Sequence, residues 1–446
     1  MSEKEEFKKT RKSFSGKLVL ANYKSYYKYY GLLFPIYMFM DIVGVYYNRY
    51  APKHKPHQFY FSNKKYAKWL EDVKSNTSFF VPFTTSSYIR EKVDPKVFAF
   101  YLPQYHAIYE NDKAYGKGFT EWTNVAAAFP QFIGHYQPKI PYDLGFYDLT
   151  TPGVMERQVE IAKAYGIYGF CFYYYWFSGQ KVLERPLDYF LKSDIDFHFH
   201  FCWANENWSK RWDGGNHEVI FEQKLKDDDA DKFFADLLPY ISDKRYEKVG
   251  NKPILIIYKP TLFEKDKMLL FINRINDLAK ENGFDGLFLL TTNREGFKTP
   301  LEYGYEGMVD FPPNTMWGRC KELYKKQVYK NVPINIMEAN QYIRDMDYIR
   351  NTDCLCFRTC LPGWDNTPRR MYSGANCILV SDDDFRCWVN DIIRWTKANN
   401  EDKYQYFYVN AWNEWGEGAV LEPSLRFGYK YLDIIKKCIE DSRNKS

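Results

Sequence analysis

Glu414 and Glu417 stand three residues apart in the stretch NAWNEWGEGAVLEP, residues 410–423. In a continuing strand that spacing sends the two side chains to opposite faces. In a turn, or the first turn of a helix, it puts them on one side. Gly416 and Gly418 permit such a turn. Two close carboxyl groups suit acid–base chemistry at a glycosidic bond, where one stays protonated to assist the leaving oxygen while the other is ionised. Asn410, Trp412, Asn413 and Trp415 surround the pair. An indole beside hydrogen-bonding groups suits a sugar ring, which has apolar C–H faces and a polar rim. Two exposed glutamates on a solvated loop are the alternative, and the flanking tryptophans argue against it.

Residues of the same kind recur at the ends of other apolar runs. After VFAFYLPQY come His106 and then Glu121 and Trp122 in GKGFTEWTN. The run IYGFCFYYYWF carries Tyr174, Tyr175 and Trp176, and WANENWSKRW carries Trp203, Asn205, Glu206, Asn207 and Trp208. Tyr258 ends KPILIIYKP, and Trp364, Asp365 and Arg369 lie in GWDNTPRR. Glu206 serves more readily as an acceptor for a sugar hydroxyl than as a catalytic group, and His106 is either a structural histidine or a base. Arg369 and Arg370 can grip a phosphate or carboxylate, or pair with Asp365 to hold a loop. Trp203, Trp208 and Trp415 are the expected stacking platforms.

The elements that would carry these residues alternate. Strand-like runs cover 97–105, 167–177, 196–207, 252–260, 284–293, 305–313, 352–360 and 406–412. Helical patterns cover 151–166, 185–193, 230–241, 266–283, 383–399 and 427–441. Thr151 is placed to cap the first of them, with Pro152 in its first turn and Gly166 at its end. Strands apolar on both sides imply a sheet covered on both faces. Eight such units predict an α/β fold, a (β/α)8 TIM barrel over 94–446, with its active site at the C-terminal ends of the strands. No GxGxxG follows a strand, which disfavours a dinucleotide fold.

Composition removes other classes. A net charge of +5 on 446 residues makes no case for nucleic acid. Nine cysteines, most of them within apolar runs, read as reduced thiols rather than a disulfide framework. No HExxH occurs, and CLCFRTC has no second pair at zinc spacing, so no metal and no cofactor is expected. The DDD triplets at 227–229 and 382–384 have the Asp-x-Asp spacing of metal sites in sugar-nucleotide transferases. Both precede helices, where acidic residues are expected anyway. Residues 1–93 read as an N-terminal extension. Their first residues make a poor secretory signal, which points to the cytoplasm. The apolar run 31–47, flanked by Lys and Tyr, either packs on the main domain or lies at a membrane interface; Pro35 and Asp41 speak against a straight span.

From about Val97 to Pro423, the motifs FYLPQYH, GKGFTEWTNV, GHYQPKIPYDLGFYDL, GFCFYYYWFSG, LERPLD, CWANENW, WDNTPRR and NAWNEWGEGAVLEP resemble a known family. It is that of the WbsX-type polysaccharide-biosynthesis glycosyltransferases, also described as glycoside hydrolase family 99-like domains. The resemblance implies a (β/α)8 barrel acting on glycans. By motif position it implies that Glu414 is the base that deprotonates a sugar 2-hydroxyl, whose oxygen then attacks the anomeric carbon to give a 1,2-anhydro sugar. Glu417 is then the general acid, and afterwards the base. Tyr174 departs from the family, which commonly has His there; a hydrogen bond to a hydroxyl is the role left to it. The resulting expectation is a cytoplasmic glycosyltransferase of cell-surface polysaccharide (O-antigen or capsule) assembly. Its expected partner is a glycan or lipid-linked oligosaccharide, with a sugar nucleotide as a further donor and the inner face of the plasma membrane as a site of peripheral contact. A retaining endo-α-mannosidase-like hydrolase acting through the 2-hydroxyl, and a non-catalytic glycan-binding protein, are the alternatives.

Overall fold

The computed structural model describes residues 79–209, 219–325, 327–328, 332–345, 354–370 and 373–443. The chain divides into two compact units, Met1–Ala67 and Lys68–Ser446. The first, with the apolar run 31–47 and its expected membrane contact, lies outside the described residues. No helix among the described residues is long and apolar enough to cross a membrane.

Eight parallel strands close into a barrel: β1 Lys96–Tyr101, β2 Gly169–Phe177, β3 His198–Trp203, β4 Lys252–Ile257, β5 Phe288–Thr292, β6 Gly307–Val309, β7 (355–360) and β8 Tyr406–Val409. Strand β7 is the closing piece. Its Leu355–Phe357 part pairs with β6 and its Thr359–Cys360 part with β8. Between them, the Arg358 carbonyl accepts from Tyr408 N–H at 2.8 Å. The eight expected strands are thus all present, and the fold is the (β/α)8 barrel.

The principal helices are α1 Tyr109–Tyr115, α2 Glu121–Ala127, α3 Val154–Ala164, α4 Arg185–Lys192, α5 Asp229–Ile241 and α6 Lys265–Glu281. After them come α7 Asn340–Arg344, α8 Thr367–Arg370, α9 Asp382–Asn399 and α10 Lys430–Arg443. Helix α3 starts later than its capping signal suggested. Thr151 does not cap it; Gly153 does, at φ 90°, and the Glu156 carboxylate folds back to accept from Gly153 N–H at 2.9 Å. Between β5 and β6 the described chain has only short 3-10 turns where a barrel helix would stand. Both DDD triplets sit at helix starts, and Ser381 caps α9 by accepting from Asp384 N–H at 3.1 Å. Residues 79–93 belong to the barrel unit. Thr84 N–H donates to Tyr165 Oη at 2.7 Å, and Arg443 on α10 binds Asp94 at 2.7 Å. The last part of the N-terminal extension, residues 79–93, thus packs on the barrel.

Period-2 alternation sorts the strand residues. Phe98 and Phe100 of β1 point into the barrel, against His200 and Tyr408, and Tyr173 respectively. Tyr101 points outward and donates to Gln158 on α3 at 2.6 Å. The interior is filled by rings, which accounts for much of the 20% aromatic content.

The N-terminal end of the barrel is tied by Glu247. It accepts from Lys96 Nζ at 2.5 Å and Tyr406 Oη at 2.8 Å, and lies 3.1 Å from His198 Nδ1. Burial alone would raise its pKa, but the His198 and Lys96 contacts outweigh this and bring it from 4.5 down to about 2. A depressed carboxyl stabilises the fold above its ordinary pKa, and that contribution is lost as pH falls through about 2. Glu247→Gln is expected to cost on the order of 2–3 kcal/mol at neutral pH and to weaken the loss of stability in acid. Denaturant melts from pH 3 to 7 check this; parallel stability curves for variant and wild type would refute it.

Candidate active site

Three separate parts of the chain meet at the C-terminal mouth of the barrel around Arg369. Its Nη2 donates to Glu414 Oε2 at 2.9 Å and its Nη1 to Glu417 Oε1 at 2.5 Å. Its Nε donates to Glu121 Oε1. One guanidinium therefore serves three carboxylates.

Each side chain has a local reason to be there. Beyond β8, Asn413–Glu414 pairs antiparallel with Ala419–Val420, and Trp415–Glu417 forms a 3-10 turn between them. This is the expected turn, and it presents both glutamates to one cation. Gly418 ends it at φ 65°, where a side chain would be strained. Gly416 has a different reason. A Cβ there would lie 1.9 Å from Glu121 Oε1 and 3.0 Å from Arg369 Nε, so the glycine is the space that the ion cluster occupies. Asn413 docks the turn on the end of β1, accepting from Leu102 N–H at 2.7 Å and donating to the Leu102 carbonyl at 3.0 Å.

Arg369 is delivered by a small second sheet. Trp364–Asp365 pairs with Ala375–Leu379, and α8 follows at once. The Asp365 carboxylate accepts from Thr367 Oγ1 at 2.6 Å and from Gln137 Nε2 at 2.6 Å, and lies 2.7 Å from His135 Nε2. Asp365 thus anchors the start of α8. Of the two roles open to Arg369, gripping a carboxylate or pairing with Asp365, the structure shows the first, on Glu121, Glu414 and Glu417. Glu121 opens α2, and Gln104 Nε2 donates to its Oε2 at 2.6 Å.

The environments of the two paired carboxyls differ. Glu414 is almost wholly buried, and burial pushes its pKa well up; Arg369 opposes this, while Glu417 and Glu121 add to it. Its side chain is 8% exposed, that of Glu417 28%. Glu417 also accepts from Trp364 Nε1 at 3.2 Å, a second donor besides Arg369. Burial works against the charge of Arg369, but the three carboxylates more than offset that and keep it protonated.

A second group faces this cluster. Arg294, after β5, lies over the Tyr258 ring at 4.2 Å, with Nη1 3.5 Å from Glu206 Oε2. Tyr258 feels both Glu206 and Glu417, and Tyr175 feels Glu414, Arg369, Glu206 and Glu121. Tyr173 and Tyr175, on the inward face of β2, thus lie between the two groups. Arg294 and Tyr173 were not singled out from the sequence; strict alternation along GFCFYYYWF would have picked Tyr173 together with Tyr175.

Several expected site residues prove to be supports. Tyr174 and Trp176 fall on the outward face of β2. Tyr174 stacks on Phe201 at 4.9 Å, and Trp176 Nε1 donates to Asp236 on α5 at 2.9 Å. Trp203 packs against Phe233 and Phe271 in the helix layer. Trp412 and Trp415 donate their indole N–H groups to Glu422, at 3.1 and 2.7 Å. Trp203 and Trp415 are 0% exposed, so neither offers a ring face for stacking in this arrangement. Trp208 packs near Tyr175 at 5.7 Å and is 8% exposed. Trp122 donates to the Tyr147 carbonyl at 2.7 Å and lies against Trp415.

The amides also bridge loops. Asn205 pairs with the Lys259 backbone, Asn207 accepts from Gln223 N–H at 2.7 Å, and Asn410 donates to the Pro312 carbonyl at 2.6 Å. His106 is buried; burial and then Arg185 hold its pKa down at about 4, away from the glutamates. Trp317, 39% exposed and edge-on to Trp364 at 5.3 Å, is an aromatic surface at the mouth that the sequence reading passed over.

His135, Asp365 and Cys377 lie close enough to share a metal ion. His135 and Asp365 are already engaged: His135 Nδ1 accepts from Gln131 N–H at 3.0 Å, and its Nε2 faces Asp365 at 2.7 Å. None of the nine cysteines forms a disulfide.

Comparison with known proteins follows the same residues. A family model described as glycosyltransferase WbsX matches residues 97–435. Proteins from two strains of Xanthomonas campestris pv. campestris, each described as uncharacterized protein WxcX, are 38% identical over 352 residues. The match covers 78% of this chain and 50% of theirs, so the chain spans about half the length of these curated relatives. A solved glycoside hydrolase-like protein aligns with a TM-score of 0.49 and 15% identity, over 83% of this chain and 98% of its own. A GH99 endo-α-mannosidase from Bacteroides thetaiotaomicron aligns with a TM-score of 0.45 and 13% identity, over 78% and 97%.

Proposed function

This chain belongs to the WbsX glycosyltransferase family, and from that premise we propose that it builds cell-surface polysaccharide by moving a glycosyl group at Glu414 and Glu417. The observation that carries the reading is the shared guanidinium. It holds two carboxyls of unequal environment side by side at the barrel mouth, which is what acid–base chemistry at a glycosidic bond requires.

The step follows the family resemblance. Glu414 takes the proton of a sugar 2-hydroxyl, and that oxygen bonds to the anomeric carbon. The bond from this carbon to the leaving oxygen breaks, and Glu417 protonates the leaving oxygen. An acceptor hydroxyl then opens the 1,2-anhydro ring, giving its proton to Glu417 while the 2-oxygen recovers its own from Glu414. A sugar acceptor makes this transfer, and water makes it hydrolysis. The reacting form has Glu414 ionised and the proton on Glu417, and burial of Glu414 reduces the share of that form. A carboxylate that binds its proton more tightly accepts one from a hydroxyl more readily, at the cost of a smaller ionised fraction. The enzyme acts in the cytoplasm on a lipid-linked glycan, a setting that suits nine cysteines without a disulfide.

Mass spectrometry of lipid-linked oligosaccharides incubated with the protein, with and without sugar nucleotides, tests this. Growth of the glycan by one sugar supports transfer, and the nucleotide arm identifies the donor. Shortening of the glycan selects the hydrolase. No mass change in any glycan would overturn the reading.

A further inference from the structure

We propose that Glu121 and Arg369 are positioning residues of the Glu414–Glu417 pair. Glu121 is the counter-charge that holds one guanidinium across both carboxylates, and the two together set which of the pair keeps the proton. The proposal rests on the reading of Glu414 and Glu417 as the reacting groups.

The geometry is specific. Glu121 is fully buried, yet it lies far from the turn in sequence and touches no substrate-facing space of its own. Its Oε2 is fixed by Gln104 at 2.6 Å, with Tyr105 Oη at 3.5 Å. Its Oε1 receives Arg369 Nε and lies against the backbone at Gly416, in the place a Cβ would take. Tyr105 joins the same assembly to the turn, accepting from Trp415 N–H at 3.1 Å and donating to the Asn413 carbonyl at 2.8 Å. Glu121 is therefore packed against the turn that bears both reacting carboxyls, and it also orients the cation they share.

Among the described residues, the charged and titratable groups facing Glu414 are Arg369, Glu417, Glu121, Tyr105, Tyr173 and Tyr175. Arg369 is the one cation among them. A neutral residue at position 121 would act twice in one direction. It removes a like charge near Glu414, and it leaves the guanidinium to two carboxylates instead of three. Both effects favour the ionised Glu414.

Carboxyl-13C NMR of glutamate-labelled protein tests this without a substrate, using Glu414→Gln to assign the Glu414 signal. In Glu121→Gln the titration midpoint of Glu414 should fall by about one pH unit or more. In Arg369→Lys, where an ammonium cannot reach three carboxylates at once, it should rise. A midpoint unchanged in both variants overturns the proposal, because a merely structural role for Glu121 would leave it in place. Should Glu121→Gln fail to fold, the Arg369→Lys midpoint alone decides. Moved midpoints in a protein that alters no glycan would instead refute the reading of the pair and leave the positioning intact.

Discussion

Glu414→Gln and Glu417→Gln are each expected to lower turnover by at least ~10²-fold, the usual scale for a positioned acid or base. Gln keeps the size of Glu and an oxygen that can accept from Arg369, so the barrel should melt near its normal temperature and still bind glycan. The two variants should differ in pH response. If Glu414 is the base, wild-type turnover climbs with pH as this buried carboxyl loses its proton, and its limb lies above the ordinary range because burial raises it. Glu417→Gln retains that limb at low rate, and Glu414→Gln loses it. An alkaline limb that vanishes in Glu414→Gln would exchange the two roles. Near-normal turnover in either variant would remove the pair from the mechanism altogether.

The barrel was legible because each strand is a short apolar run between turn residues, and every such run became a strand. The turn at 414–417 was legible for a local reason as well: two glycines and a spacing of three. What was not legible is long-range or directional. Arg369 lies 248 residues from Glu121, and no local pattern signals that they meet. Gly416 looks like a turn residue, but its lack of a side chain answers to a carboxylate from another helix. Within GFCFYYYWF, place at the end of the run suggested Tyr174, Tyr175 and Trp176, while the pleat turns Tyr173 and Tyr175 inward. The tryptophans misled most. An indole beside polar residues reads as a sugar platform, but Trp412 and Trp415 sit beside polar groups because their own N–H groups need a buried acceptor.

That acceptor, Glu422, carries the second large expectation. It receives Trp412 Nε1 at 3.1 Å and Gln158 Nε2 at 2.6 Å on Oε1, and Trp415 Nε1 at 2.7 Å and Tyr147 Oη at 2.8 Å on Oε2. Burial, only partly offset by these donors, raises its pKa from 4.5 to about 7. A carboxyl raised by folding makes the native state hold a proton that the unfolded chain has lost. Its contribution to stability is therefore full below about 4.5 and falls as pH climbs to about 7, by roughly 3 kcal/mol at most. The proton has a place to go, since Tyr147 Oη can turn to accept it. Glu422→Gln has no such solution. Whichever way its amide is turned, an N–H faces an indole N–H or the Gln158 amide, at a cost of about 1–3 kcal/mol. Glu422→Leu strands all four donors and should cost more, enough to threaten folding at 37 °C. Urea melts between pH 5 and 8 should show the wild type losing part of its stability over that range and Glu422→Gln, less stable at pH 5, losing less. A Gln variant as stable as the wild type at every pH would mean that the indoles need no acceptor. They would then be free to serve the glycan, as the sequence alone suggested.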